Sequence, residues 1–281
     1  MGALDGRVAL VTGASRGVGK GCALELGSAG AAVYLTGRTL EEGAAPLPGT
    51  IGATAAEIEQ AGGWALAVRC DHRDDAQVAA VFERIDREDG RLDILVNNAF
   101  LIPRELTSGK PFWELPISNW DDMLDVGTRS AYVASVHAAQ RMVPAGRGLI
   151  ANISSSGAHA YAWHVAYGVG KAALDRLTAD TAHELRPHGV AVVSLWPGLV
   201  LTERLQPLVG KTDQLDFDGA ESQRFTGRAV AALAGDPDVI ARSGRAWASR
   251  QLADEYGFTD IDGTLPKGPL RERPGQVGES E

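Results

Sequence analysis

The sequence predicts an α/β fold in which helices cover both faces of a parallel sheet. Three observations carry that expectation. Residues 7–12 (RVALVT) form a short apolar run rich in valine, of the kind that suits a strand buried on both sides, and further strands are read at 92–96 and 191–195. Helix-patterned segments separate them, as parallel strands require. The first run ends in a glycine-rich turn, residues 13–19 (GASRGVG), which opens a helix.

Length and composition narrow the classes. At 281 residues, with 44% hydrophobic and 22% charged residues, the chain can bury a large core and is neither a disordered nor a membrane composition. A net charge of −9 argues against nucleic-acid binding, which calls for a basic face. The two cysteines, Cys22 and Cys70, supply neither a disulfide framework nor a metal spacing. No signal peptide and no apolar run of about 20 residues is visible, so the expected location is the cytoplasm, without a membrane partner.

In chain order, the first strand leads into the turn carrying Gly13, Ser15, Arg16, Gly17, Val18 and Gly19, with a helix to residue 28. Strand, glycine turn and helix form the context of a dinucleotide site: backbone N–H groups approach a pyrophosphate, and the helix N-terminus favours its charge. The second strand, residues 32–36, ends at Gly37-Arg38-Thr39. No acidic residue occupies positions 34–40 to bond the ribose 2′-hydroxyl of NAD; Arg38 and Arg16 could both face a 2′-phosphate, which points to NADPH. Residues 41–49 form a loop, Thr50 caps a helix to residue 61, and Gly62-Gly63 end it. After a third strand (64–70), Asp71 could bond an adenine amino group. A helix over 74–89 and a strand over 92–96 deliver Asn97-Asn98-Ala99 to the carboxyl edge of the sheet.

Residues 100–119 are irregular and read as a wall of a substrate pocket. A helix over 120–142 carries Gly127 in mid-run. Strand 148–153 breaks into a serine loop and then the helix of Tyr167 and Lys171. Strand 191–195 ends at Trp196-Pro197-Gly198, residues 202–225 read as a lid, residues 228–234 as a helix and 245–249 as a last strand. One domain over 1–266 and a disordered Pro/Gly-rich tail over 267–281 complete the expectation.

The pair Tyr167 and Lys171 suggests chemistry. Residues four apart share a helix face, so the ammonium can lie close to the phenol. A phenol titrates near pH 10, and a nearby cation lowers that value. Such a tyrosine protonates a carbonyl during reduction or deprotonates an alcohol during oxidation. Ser155 or Ser154 could hold the substrate oxygen beside it.

With T-G-x-x-x-G-x-G at residues 12–19, N-N-A at 97–99, I-S-S at 153–155, Y-x-x-x-K at 167–171 and P-G at 197–198, the chain resembles the classical short-chain dehydrogenases/reductases from residue 7 to about 263. The resemblance implies a Rossmann-type doubly wound fold with a seven-stranded parallel sheet, binding NAD(P) and exchanging hydride with a carbonyl or alcohol. It makes Tyr167 the acid/base, Lys171 the residue that holds the nicotinamide ribose and lowers the tyrosine pKa, and Ser155 the carbonyl-orienting hydroxyl. Asn98, Pro197, Gly198 and Val200 would line the nicotinamide end. It also implies a homodimer or homotetramer through the helices around Tyr132 and Leu174. Two positions depart from the family pattern: Phe100 stands where N-N-A-G has glycine, and Gly127 stands where the family has a helix asparagine that relays protons to the lysine.

The expected function is NADPH-dependent reduction of a small-molecule carbonyl. A non-catalytic NADP(H)-binding regulator and an NAD-dependent alcohol dehydrogenase are the alternatives. Trp113, Tyr161, Trp163, Phe217 and Phe225 lie in segments that could border the pocket, whereas His159 and His164 read as surface or loop residues.

Overall fold

Seven strands pair into one wholly parallel sheet among residues 2–212 and 215–269, the residues that the computed structural model describes. They are β1 (Val8–Val11), β2 (Ala32–Gly37), β3 (Trp64–Arg69), β4 (Ile94–Asn97), β5 (Gly148–Ile153), β6 (Val190–Trp196) and β7 (Ala246–Ala248), in the spatial order 3-2-1-4-5-6-7. From β1 the chain winds outward to β3, returns to β4, and winds outward the other way to β7. The order therefore reverses between β1 and β4, and the loops leaving their carboxyl ends diverge around a crevice, the place where open α/β sheets bind ligands.

The apolar runs are continuous because both faces are covered. Val8 and Leu10 point to one side, with Phe82 of α3 (Asp75–Glu88) and Met142 of α5 (Ser130–Ala145). Ala9 and Val11 point to the other, with Leu26 of α1 (Gly17–Ser28) and Ile58 of α2 (Ile51–Gln60). Successive side chains on a strand alternate faces, so each run feeds two cores. On the first side α6 (Val165–Leu185) adds Ala182 and Leu185, and on the second α7 (Phe225–Gly235) and α8 (Ser249–Tyr256) add Leu233 and Leu252. Thr50 caps α2 through the Ala53 N–H, and Asp74 caps α3 through Ala76 and Gln77. Such caps contribute about 1 kcal/mol each.

Several expectations are corrected. The helix read over 120–142 runs from α4 (Ser118–Leu124) through a π turn (Asp125–Arg129) into α5, and Gly127 lies in that π turn. Helix α8 was not read from the sequence: its eight residues are mostly polar and too few for a clear period. Phe225 is fully buried at the start of α7, packed on Phe258, and borders no pocket. On the two helices expected at an oligomer seam, Leu174 itself is buried, while Tyr132 on α5 and Val165 and Val169 on α6 are exposed. The tail begins ordered: Lys267 pairs with Asp216 at 3.4 Å and Asp218 at 2.6 Å, and its N–H reaches the Gly219 carbonyl. The remainder of the expected tail, residues 270–281, lies outside the described residues. Among the described residues no helix is long and apolar enough to cross a membrane.

Candidate active site

The crevice is laced shut at its base. Thr12 at the end of β1 donates its hydroxyl to the Val96 carbonyl and accepts the N–H groups of Asn98 (2.9 Å) and Ala99 (3.0 Å). The Asn98 amide returns two bonds, to the carbonyls of Thr12 and Gly13. Asn98 thus braces the two loops against each other. Gly13 must be a glycine here, since a Cβ would stand 2.8 Å from the Ala99 Cα. Ser15 is buried in the turn and Val18 packs on the core, while Gly17 (φ +58°) and Gly19 start α1.

The first amide of α1 already holds an anion. The Gly17 N–H donates to the Glu203 carboxylate at 2.9 Å. A carboxylate at a helix N-terminus is a stand-in for a phosphate, so the turn fits the pyrophosphate of a dinucleotide. The Arg16 guanidinium is tied to the carbonyls of Pro48 (2.9 Å), Leu47 (3.2 Å) and Gly49 (2.8 Å) and reaches the Thr39 hydroxyl (3.4 Å), closing the loop before α2. Arg38, at the end of β2, is half exposed and 3.9 Å from Asp71. Of the two arginines expected at a 2′-phosphate, Arg16 is engaged by the loop before α2 and Arg38 is the more exposed.

The chemical cluster forms where β5 meets α6. His164 caps α6, its Nδ1 accepting the Tyr167 N–H at 3.3 Å; it is a buried cap rather than a surface histidine. His159 lies edge-on to Trp196, and Trp163 adopts a positive φ of 63° just before the cap. Ser155 lies beside Tyr167, where its hydroxyl favours the ionised phenol, and accepts the Gly157 N–H, whereas Ser154 is buried and donates to the Lys171 carbonyl. The structure therefore brings Ser155, not Ser154, to the tyrosine.

Lys171 departs from the simple picture of an ammonium beside a phenol. Its Nζ donates to the Ile153 carbonyl at 2.9 Å and lies 4.6 Å above the centre of the Phe100 ring. Burial pulls its pKa down to about 8, with Asp175 opposing the shift. Burial raises the Tyr167 phenol above its ordinary value, only partly offset by the neighbouring Ser155 hydroxyl. With desolvation the leading influence, the resting tyrosine is neutral.

Behind the Pro197-Gly198 turn sits a carboxyl that the sequence did not flag. Glu221 is fully buried; its Oε1 accepts the Gly198 N–H (3.0 Å) and the Thr226 hydroxyl (3.2 Å). Its backbone bonds Leu199 and Leu201, pairing it with Val200. Glu203 and Glu221 escape sequence reading because their partners lie 186 and 23 residues away.

A family model described as short chain dehydrogenase matches residues 7–212. "Dehydrogenase/reductase SDR family member 1" of Mus musculus is 48% identical over 273 residues, covering 92% of this chain and 85% of the relative; the Homo sapiens protein is 47% identical over the same length, with the same two coverages. Among solved structures, a metagenomic short-chain oxidoreductase in complex with NADP matches at 34% identity and TM-score 0.68, covering 84% of this chain and 93% of that one. A putative dehydrogenase from Xanthomonas campestris matches at 26% identity and TM-score 0.79, covering 97% of this chain and 100% of that one. With its doubly wound sheet, its glycine turn on the β1–β4 crevice and these relatives, the chain belongs to the short-chain dehydrogenase/reductase family of oxidoreductases.

Proposed function

We propose that the protein reduces a small-molecule carbonyl to an alcohol with NADPH. The observation that carries this reading is the placement of Ser155 beside a neutral Tyr167, with Lys171 one helical turn on and held at the end of β5. The cofactor supplies the hydride, and the chain supplies position and protons. The Gly13–Gly19 turn would hold the pyrophosphate, Arg38 the 2′-phosphate, Asp71 the adenine, and Lys171 the nicotinamide ribose; Pro197, Gly198 and Val200 would border the nicotinamide. Ser155 donates to the carbonyl oxygen and fixes it beside the phenol. Tyr167 delivers its proton to that oxygen as the carbon gains hydride, and the resulting tyrosinate is stabilised by the Lys171 ammonium.

Preference for NADPH is supported by Arg38 and by the lack of an acidic residue at positions 34–40. The NADP bound in the metagenomic relative points the same way. Residues 100–119 and 202–225 would form the substrate wall and lid of a single domain, and Tyr132 lies on the face we assign to a homodimer or homotetramer. Two buried unpaired thiols, Cys22 and Cys70, fit a reducing cytoplasm. One observation favours a second reading, a non-catalytic NADP(H)-binding regulator: Lys171 is bonded to the Ile153 carbonyl rather than turned to the phenol.

The deciding experiment is NADPH oxidation across a panel of carbonyl compounds, with NADH in parallel and Tyr167→Phe as the control. Turnover at least about a hundredfold above that control is expected, the range a general acid contributes. Wild-type turnover no faster than Tyr167→Phe on every compound would leave the regulator as the better account.

A further inference from the structure

Phe100 and Gly127 are two separate oddities in the sequence and one contact in the structure. A Cβ on Gly127 would stand 3.1 Å from Cδ2 and 3.3 Å from Cε2 of the Phe100 ring, so even an alanine there would push the ring. Gly127 sits in the π turn between α4 and α5, the kind of local widening found at functional sites. From the next residue, the Thr128 hydroxyl bonds the Gly170 carbonyl, which anchors the turn beside Lys171. The ring seated in this notch has Lys171 Nζ 4.6 Å above its centre and Tyr167 edge-on at 6.1 Å.

We propose that Phe100 is a positioning residue that holds the Lys171 ammonium over its ring face, and that Gly127 is a glycine because the ring needs its space. The proposal rests on the reading of Lys171 as a residue of the active site. A buried ammonium needs partners on every side. Lys171 has the Ile153 carbonyl from β5, the Asp175 carboxylate and the Tyr167 phenol on its own helix, and the Phe100 face from the loop after β4. An aromatic face attracts a cation without accepting a proton or bridging it to solvent, so the ring limits the lysine's motion and shuts the route to it past the π turn.

The test separates this packing from turnover. In the wild type the Lys171 ε-methylene protons, assigned by their loss in Lys171→Met, should resonate upfield of ordinary lysines because of the ring current. Phe100→Leu, which keeps apolar volume without a π face, should return them to the ordinary position, and Phe100→Tyr should preserve the shift. Phe100→Leu should also weaken NADPH binding about three- to tenfold, the cost of ordering a loosened side chain. Gly127→Ala should move the lysine resonance and weaken NADPH in the wild-type background. In the Phe100→Leu background it should add little to either loss.

A Lys171 resonance that Phe100→Leu leaves in place would overturn the proposal, as would a Gly127→Ala effect of equal size in both backgrounds. A wild type that shows the shift and the NADPH losses but reduces no carbonyl would overturn the reductase reading alone.

Discussion

The Gly17 N–H and the Glu203 carboxylate, 186 residues apart in sequence, meet at 2.9 Å. The segment after β6 thereby places an acid on the amide that we assign to the cofactor's pyrophosphate. Binding has to displace it, and a helix N-terminus holds an anion by about 0.3–1 kcal/mol. Glu203→Gln should therefore bind NADPH about two- to fivefold more tightly, read by fluorescence titration. Unchanged affinity would mean that Glu203 leaves the turn without cost.

Cofactor choice is expected to rest on Arg38. A charge-assisted hydrogen bond to a 2′-phosphate is worth about 1.5–3 kcal/mol, so Arg38→Asp should weaken NADPH about ten- to a hundredfold. NADH binding should be unchanged or improved, except that the new carboxylate will face Asp71, now 3.9 Å from the guanidinium. Equal losses for both cofactors would make Arg38 a structural partner of Asp71.

Binding should survive the loss of chemistry. NADPH at about a hundred times its dissociation constant should add roughly 2.7 kcal/mol, a rise of several degrees in Tm. Tyr167→Phe should keep that rise while losing turnover. A wild type whose Tm responds to neither cofactor would remove the enzyme and the regulator readings together.

Glu221 should impose a pH dependence on stability. Burial raises its carboxyl from 4.5 to about 8, against the bonds from Gly198 and Thr226. The folded chain therefore retains a proton that the unfolded chain releases. The stability present below about pH 4.5 should decline as pH rises and be lost through about pH 8. Glu221→Gln should abolish this decline and exceed the wild type at about pH 9 by on the order of 3 kcal/mol. Calorimetric scans at acidic, neutral and alkaline pH would decide it, and parallel profiles for the two proteins would refute it.

What the sequence disclosed was what is local. The strand–turn–helix of Gly17, the Thr50 cap, the helix read over 74–89, and Tyr167 above Lys171 are read from spacings of a few residues, and their elements form where expected. Side-chain directions set by distant partners were not legible. Nothing near Arg16 announces that it will bond the carbonyls of residues 47–49, and nothing near Glu203 announces Gly17. Phe225 was misplaced because an aromatic in a polar stretch does not say which way it faces. The Tyr167 phenol shows a related gap: spacing reveals the neighbouring cation but not the burial that raises the phenol.

The bond between the Thr12 hydroxyl and the Asn98 N–H spans 86 residues of chain. Its consequence lies in the order of folding. Strands β1, β2 and β3 can pair while the chain is still short, but the glycine turn is braced only when β4 docks beside β1. Contacts of such long range carry their loop-closure entropy before they are rewarded, and they form late. During synthesis, then, the first half of the sheet should emerge as a paired but incompetent unit. The pocket for a dinucleotide would appear in one step, when residues 94–99 arrive.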